Sequence, residues 1–523
     1  MTRLTRESIE VVAWLWIGCT AVYFLTAPGR IDMIDGGIRF DVTESIIEVG
    51  RPIVRQPRLP AIPGRDGLRY SFYPLGTSLI GIPFVRIGGW LGGESLEAKQ
   101  FAFSLASVPF ASGVIALLFL IWRRLGFSRS TAVWWSLVVA FCTPLWPYAG
   151  SSFDTAIQAF WLTLAVWAAV EAMGAGSRNW AVLSGAAFAV FVNIQEIYAA
   201  LGVCVFAEFP LRFRSLLRRA GMPVVQIIVL GLSSGVGLVL AYNTFKFGNP
   251  LATGRTTVPH PLIGSPGHGL VGLFLSPAKS ILLYSPTYIF ALMGLRRLVR
   301  SNRSLYGPLG ACLALHVLLT ASLRFWAGEW AWGPRYLIVS LPLACIGLPF
   351  VTGTRMRAAL AATACAGFVV QLLAISVDHQ RYYFERSLPP FFWVDERSMY
   401  TDSPLFARPG ELMAVLRHED LDKVRALVPA RDPMSMTSSL FGPSGDRRND
   451  IPTWMREYLV FLVPRPWPLW SRYLPPHLRP GRTDLMTIAG ACVALAAFSL
   501  LAFRLRTYGR RDIRMSAVAE TNG

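Results

Sequence analysis

Charge is what this chain has least of. Only 15% of its 523 residues are Asp, Glu, Lys or Arg, against about 25% in a soluble globular protein. Hydrophobic residues make up 53%, and the mean hydropathy is +0.44. That balance excludes a soluble domain and points to a polytopic membrane protein. Lysine is almost missing (Lys99, Lys246, Lys279, Lys423), so arginine carries the net charge of +19. All seven cysteines (Cys19, Cys142, Cys204, Cys312, Cys345, Cys365, Cys492) lie inside apolar stretches, which argues against a disulfide framework or a Cys-based zinc site. The six histidines include no pair at metal-ligand spacing, so no metal is expected to be required. No Walker loop, Rossmann fingerprint or G-x-S-x-G elbow stands in a strand–turn–helix context, and no internal repeat is evident. The first apolar run, 11–27, lacks a small-residue cleavage pattern and reads as a retained helix.

What the chain does have is long apolar runs. A hydrocarbon core of about 30 Å needs roughly 17–25 residues. Runs at 11–27, 101–122, 130–150, 155–170, 180–194, 197–210, 221–243, 280–295, 305–323, 336–353, 358–377 and 485–503 predict an all-α fold of about twelve transmembrane helices. With the N-terminus inside, arginines such as Arg123, Arg124, Arg212, Arg214, Arg296, Arg300, Arg355 and Arg357 all fall in internal connections. The positive-inside rule explains that distribution without any nucleic-acid partner. Three regions follow: a transmembrane catalytic module at 1–377 with its first outward loop at 28–100, an outward, partly structured loop region at 378–484, and a last helix with a basic internal tail at 485–523. Outward amphipathic helices are expected at 36–49 and 410–428, and interface-lying pieces at 74–93 and 454–470.

The outward loops concentrate the candidate chemistry. The first places Asp32, Asp35, Asp41, Glu44 and Glu48 beside the membrane surface. Asp35 can cap a helix or, as a carboxylate poised above the bilayer, act as a general base; Asp32 and Asp41 are alternatives for that role. Asp154, in YAGSSFDTAIQAF, opens on the same side and divides between helix capping and catalysis. In LRFWAGEWAWGPRYL, Glu329 sits among Trp326, Trp330 and Trp332, rings suited to stacking on sugar or to headgroup depth. Arg335 lies outside at a helix N-terminus, against both the macrodipole and the charge bias. Either it holds an anion such as a lipid phosphate or it snorkels to headgroups. Lys279, with Arg324 and Lys246, extends the same basic rim. A divalent ion bridging Asp35 and Asp154 is the one cofactor the carboxylates invite, though none is required.

Four stretches then carry a resemblance: IDGGIRFDVTESIIEVGR, YSFYPLGTSLIGIP, YAGSSFDTAIQAF, and GLFLSPAKSILLYSP with WAGEWAWGPRYL. Together they resemble the GT-C superfamily of integral-membrane glycosyltransferases, in particular bacterial relatives of protein O-mannosyltransferases and aminoarabinose transferases. The resemblance covers 1–376. It implies a base at Asp35, a supporting acid at Asp154, and lipid-phosphate contacts at Lys279 and Arg335. Where the family usually carries two adjacent acids, this chain has Asp35 followed by Gly36.

The reading is a glycosyltransferase of the bacterial cytoplasmic membrane, its active site facing the periplasm. It would move a hexosyl or pentosyl unit from a polyprenyl-phosphate donor to a hydroxyl of a glycan, lipid or protein acceptor, with inversion. Asp35 and Asp154 would serve catalysis, and Lys279, Arg335 and Arg324 the donor phosphate. Glu329, Trp326, Trp330, Asp41 and Tyr73 would contact substrate. The rivals are a multi-helix transporter or lipid flippase, for which midplane charges and a pseudo-repeat would be expected, and a transferase of the O-antigen ligase or polymerase type.

Overall fold

The computed structural model describes residues 6–57, 59–206, 221–254, 263–328, 330–377, 382, 398–417, 489–505 and 507. Helix α1 (Arg6–Thr26) is followed by α2 (Ile34–Val49), a two-residue antiparallel pair (Ile62–Pro63 with Arg69–Tyr70) and α3 (Gly76–Gly92). Helices α4 (Leu96–Ser104) and α5 (Ser107–Arg124) form one nearly continuous rod. Then come α6 (Arg129–Cys142), the short α7 (Leu145–Ala149), α8 (Thr155–Ala175), α9 (Arg178–Ile194) and a 3-10 stretch, Glu196–Phe206. The remainder is α10 (Met222–Phe247), α11 (Pro266–Leu275), α12 (Ile281–Tyr284), α13 (Tyr288–Ser301), α14 (Arg303–Ala321), a broken stretch at 335–350, α16 (Thr354–Ser376), α17 (Ser398–Thr401), α18 (Pro404–Leu416) and an apolar helix, Ala489–Leu505; α15 (Leu341–Cys345) lies inside the broken stretch.

Six of these segments are long and apolar enough to cross a membrane: Glu7–Thr26, Leu96–Arg124, Thr155–Ala175, Met222–Phe247, Arg303–Ala321 and Thr354–Ser376. The chain is a mostly helical, multi-pass membrane protein. The expected count of twelve is not reached by single helices among the described residues. Arg178–Ile194 has 17 residues and Arg129–Cys142 only 14, about 25 and 21 Å at 1.5 Å per residue. The run at 336–353 is apolar, but Pro342 and Pro349 each remove a backbone donor. It folds as Arg335–Val339, Leu341–Cys345 and Leu348–Phe350, nearly all of it buried. Small residues let the other rods close: Gly231 and Gly235 of α10 meet Gly185 and Ala189 of α9 backbone to backbone, the close approach that membrane helices use in place of a hydrophobic drive.

Helix α2 positions the candidate site, and it is held on every side. Ile38 and Val42 pack with Val54 and Tyr73. Phe40 meets Phe103 edge to face at 5.5 Å, beside Val85. Thr43 donates to the Ser78 carbonyl at 2.9 Å. Arg55 pairs with Glu44 and Glu48, and Lys99 with Glu44, Glu48 and Glu94. Ile38 and Val42 of the amphipathic stripe thus face protein, while Val49 at its end is exposed. The described part of the later outward segment also folds back: Ser403 Oγ donates to the Pro277 carbonyl at 2.7 Å, and Arg408, fully buried, donates to the Val377 carbonyl at 2.7 Å. Its helix is Pro404–Leu416; the expected continuation to 428 and the piece at 454–470 lie outside the described residues.

Truncating Phe40 to Ala removes its pairing with Phe103 and leaves a cavity under α2. The unfolding midpoint in detergent should fall by an amount equivalent to about 3–5 kcal/mol. Exposed Leu79→Ala is the control; equal midpoints for the two variants would mean α2 is not clamped there.

Candidate active site

The turn at 151–154, which leads into α8, docks against the start of α2. Asp32 accepts from Ser151 Oγ at 2.6 Å, from the Ser152 amide at 2.7 Å and from Ser152 Oγ. In return the Asp32 amide donates to Ser152 Oγ at 3.0 Å. The approach is so close that a Cβ on Gly36 would stand 2.5 Å from Ser152 Oγ. That contact is the physical reason for glycine after Asp35: a second acid there would collide with the turn.

Across this junction two ion pairs form. Arg39 Nη2 lies 2.8 Å from Asp154 Oδ2, with the two side chains 3% and 7% exposed. Arg335 Nη1 lies 3.7 Å from Asp35 Oδ2, again with both side chains buried. The first is a charge-assisted hydrogen bond; the second, at that length, is an ion pair only. Aromatic rings fix both guanidinium groups: Arg39 lies over Tyr73 at 4.1 Å and Arg335 over Phe153 at 4.1 Å. Arg335 Nη2 also donates to the Tyr336 hydroxyl at 2.9 Å. Thr77 donates to Asp154 at 3.2 Å. Arg39 Nε and Nη1 are buried and make no hydrogen bond among the described residues.

Neither acid caps a helix. The N-cap of α2 is Met33, with Asp35 inside the first turn, and Asp154, though at the N-cap of α8, makes no side-chain capping bond. Asp35, Asp154, Arg335 and Tyr73 are therefore brought together from four separate stretches. Arg39 belongs with them and was missed by sequence reasoning; its signal was available, since i and i+4 share a helix face and Asp35 and Arg39 stand four apart.

Other expected residues lie elsewhere. Asp41 accepts the Arg55 and Gln56 amides at 2.6 and 3.2 Å, anchoring the following loop; burial raises its pKa, with those amides pulling it back. Lys279 is fully buried and donates to the Ala331 carbonyl at 2.7 Å, bracing the segment that precedes Arg335. Lys246 donates to the Ser71 carbonyl. Arg324 is exposed. Trp326, Trp330 and Trp332 are buried, Trp332 edge-on to Tyr284 at 5.1 Å, so they pack within the protein rather than offering open faces. Glu329 lies outside the described residues. Asp35 and Asp154, the pair expected to invite a divalent ion, each face a guanidinium.

No family model and no curated protein matches the sequence. Among solved structures the chain is similar to ArnT from Cupriavidus metallidurans bound to undecaprenyl phosphate, at 14% identity over 96% of this chain and 77% of that one, with a TM-score of 0.48. The apo state of the same protein matches at 14% identity over 92% and 75%, TM-score 0.43. The Archaeoglobus fulgidus oligosaccharyltransferase in its apo form matches at 12% identity over 75% and 61%, TM-score 0.40. ArnT and the oligosaccharyltransferase are both GT-C membrane glycosyltransferases. At such identities and TM-scores, no substrate and no residue role transfers from them.

The Arg39–Asp154 pair gives a stability test. Removing one partner strands a buried charge at a cost of about 3–5 kcal/mol. Arg39→Met and Asp154→Asn should each lower the unfolding midpoint, and the double variant should lose much less than their sum. Strict additivity in that cycle would show that the two side chains do not pair.

Proposed function

We propose that this chain is a membrane glycosyltransferase that moves a sugar from a polyprenyl-phosphate donor to an acceptor hydroxyl, on the outer side of the bacterial cytoplasmic membrane. What carries the reading is the meeting of Asp35, Asp154, Arg39 and Arg335 in one buried cluster, at the end of the bundle where α1 finishes and α8 begins. Four charges held together at low exposure are costly to keep dry, and that cost is the ground for reading the cluster as a functional site.

The chemistry follows from the pairing. A donor phosphate arriving at Arg335 competes with Asp35 for its guanidinium, and the 3.7 Å separation is the weaker of the two ion pairs. Asp35 then accepts the proton of the acceptor hydroxyl. That oxygen forms a bond to the anomeric carbon, the bond from that carbon to the phosphate oxygen breaks, and polyprenyl phosphate leaves with the electron pair, its charge met by Arg335. In-line attack inverts the anomeric centre. Asp154 holds Arg39 in place beside the reacting groups. Positioning and charge stabilisation would supply most of the rate.

Asp35→Asn is expected to abolish transfer from a polyprenyl-phosphate sugar while the protein still inserts into the membrane and folds, its unfolding midpoint lowered because Arg335 loses its buried partner. Transfer by that variant at a near-normal rate would remove Asp35 as the base. Movement of the lipid across vesicles by the wild type, with no glycosidic bond made, would instead identify a transporter.

A further inference from the structure

A second site lies away from the acidic cluster. Helices α13 and α14 run antiparallel from the turn at Asn302, and between them opens a groove of about 920 Å3. One wall is the small-residue face of α14, Gly307, Gly310, Ala311 and Ala314, the i, i+3, i+4, i+7 line of a helix. Leu292, Leu295 and Val299 of α13 form the other wall, and Leu270 and Phe274 of α11 close the far end. Its lining on α14 runs from Arg303 to Leu318, roughly 22 Å at 1.5 Å per residue and so most of one hydrocarbon core.

Only one end of the groove is charged. Arg296, Arg300 and Arg303 line it there, and no lining residue is acidic. Their neighbour Arg297 is used differently, bonded to the Phe350 carbonyl and the Thr352 hydroxyl at 2.9 and 2.8 Å. Other arginines on this side face carboxylates: Arg124 pairs with Glu171 and Arg129 with Glu7. By the charge bias of the sequence, this is the inner side of the membrane.

We propose that this groove holds an anionic phospholipid of the inner leaflet, its phosphate on Arg296 and Arg300 and an acyl chain along the glycine–alanine face of α14. An apolar trench ending in a cationic rim is complementary to that molecule. Gly310 and Val299 close the floor of the trench, where a Cβ on Gly310 would stand 3.5 Å from Val299 Cγ2. The site is independent of sugar transfer.

The test is native mass spectrometry of the full-length, delipidated protein titrated with phosphatidylglycerol and with phosphatidylcholine of the same acyl chains. Phosphatidylglycerol should be retained roughly tenfold better or more, the weight of two phosphate-facing arginines at a membrane surface. Arg296→Gln with Arg300→Gln should erase the preference. Ala314→Trp, which fills the trench and leaves the charge alone, should lower phosphatidylglycerol retention too; melting curves confirm that each variant is folded. Equal retention of the two lipids by the wild type would overturn the proposal. So would an undiminished preference in the arginine variant, unchanged retention in Ala314→Trp, or a second protein chain bound in place of lipid.

Discussion

The site exists because the start of α2 and the turn before α8 touch. Asp32 binds that turn through three donors, and Gly36 lets the two backbones close. Once they are joined, Arg39 reaches Asp154 and Asp35 comes beside Arg335. Each carboxylate sits against a guanidinium from a different stretch of chain. Without the junction, four buried charges would lose their partners and the desolvation cost would stand uncompensated. Asp32, one of three acids that could have served as the base, is thereby accounted for as the fastener.

The charge pattern also explains how such a cluster can be both stable and reactive. Arg39 and Arg335 face Asp154 and Asp35, one guanidinium to each carboxylate. Aromatic faces, Tyr73 under Arg39 and Phe153 under Arg335, hold the guanidinium groups without consuming their donors. The 2.8 Å pair is built to last, and the 3.7 Å pair can exchange partners. In the proposed mechanism an anionic headgroup entering at Arg335 leaves Asp35 available, coupling substrate arrival to the appearance of a base. Preorganised cations of this kind contribute most where water is excluded.

Much of this could be read from residue chemistry alone. Low charge and long apolar runs give the membrane class, and acids and an arginine set against local charge preferences mark Asp35, Asp154 and Arg335. What could not be read was which face of α2 meets protein. The sequence predicts an interfacial amphipathic helix at 36–49 and singles out no role for Arg39, which is 3% exposed and faces Asp154. Asp41 and Lys279 carry the right chemistry, but each is used by a neighbouring backbone group; such contacts have no one-dimensional signature. The tryptophans of 326–332 pack inward for the same reason. The broken stretch at 335–350 was legible in part, since Pro342 and Pro349 stood in plain view, but burial on all sides lets a short, irregular path substitute for a spanning helix.

The most direct measurement is an experimental structure of the protein with polyprenyl phosphate bound. The account predicts phosphate density in contact with Arg335, the Asp35–Arg335 pair opened, and Arg39 still on Asp154. Phosphate density on exposed Arg324 or at the inner-side arginines, with the Asp35–Arg335 pair intact, would contradict it.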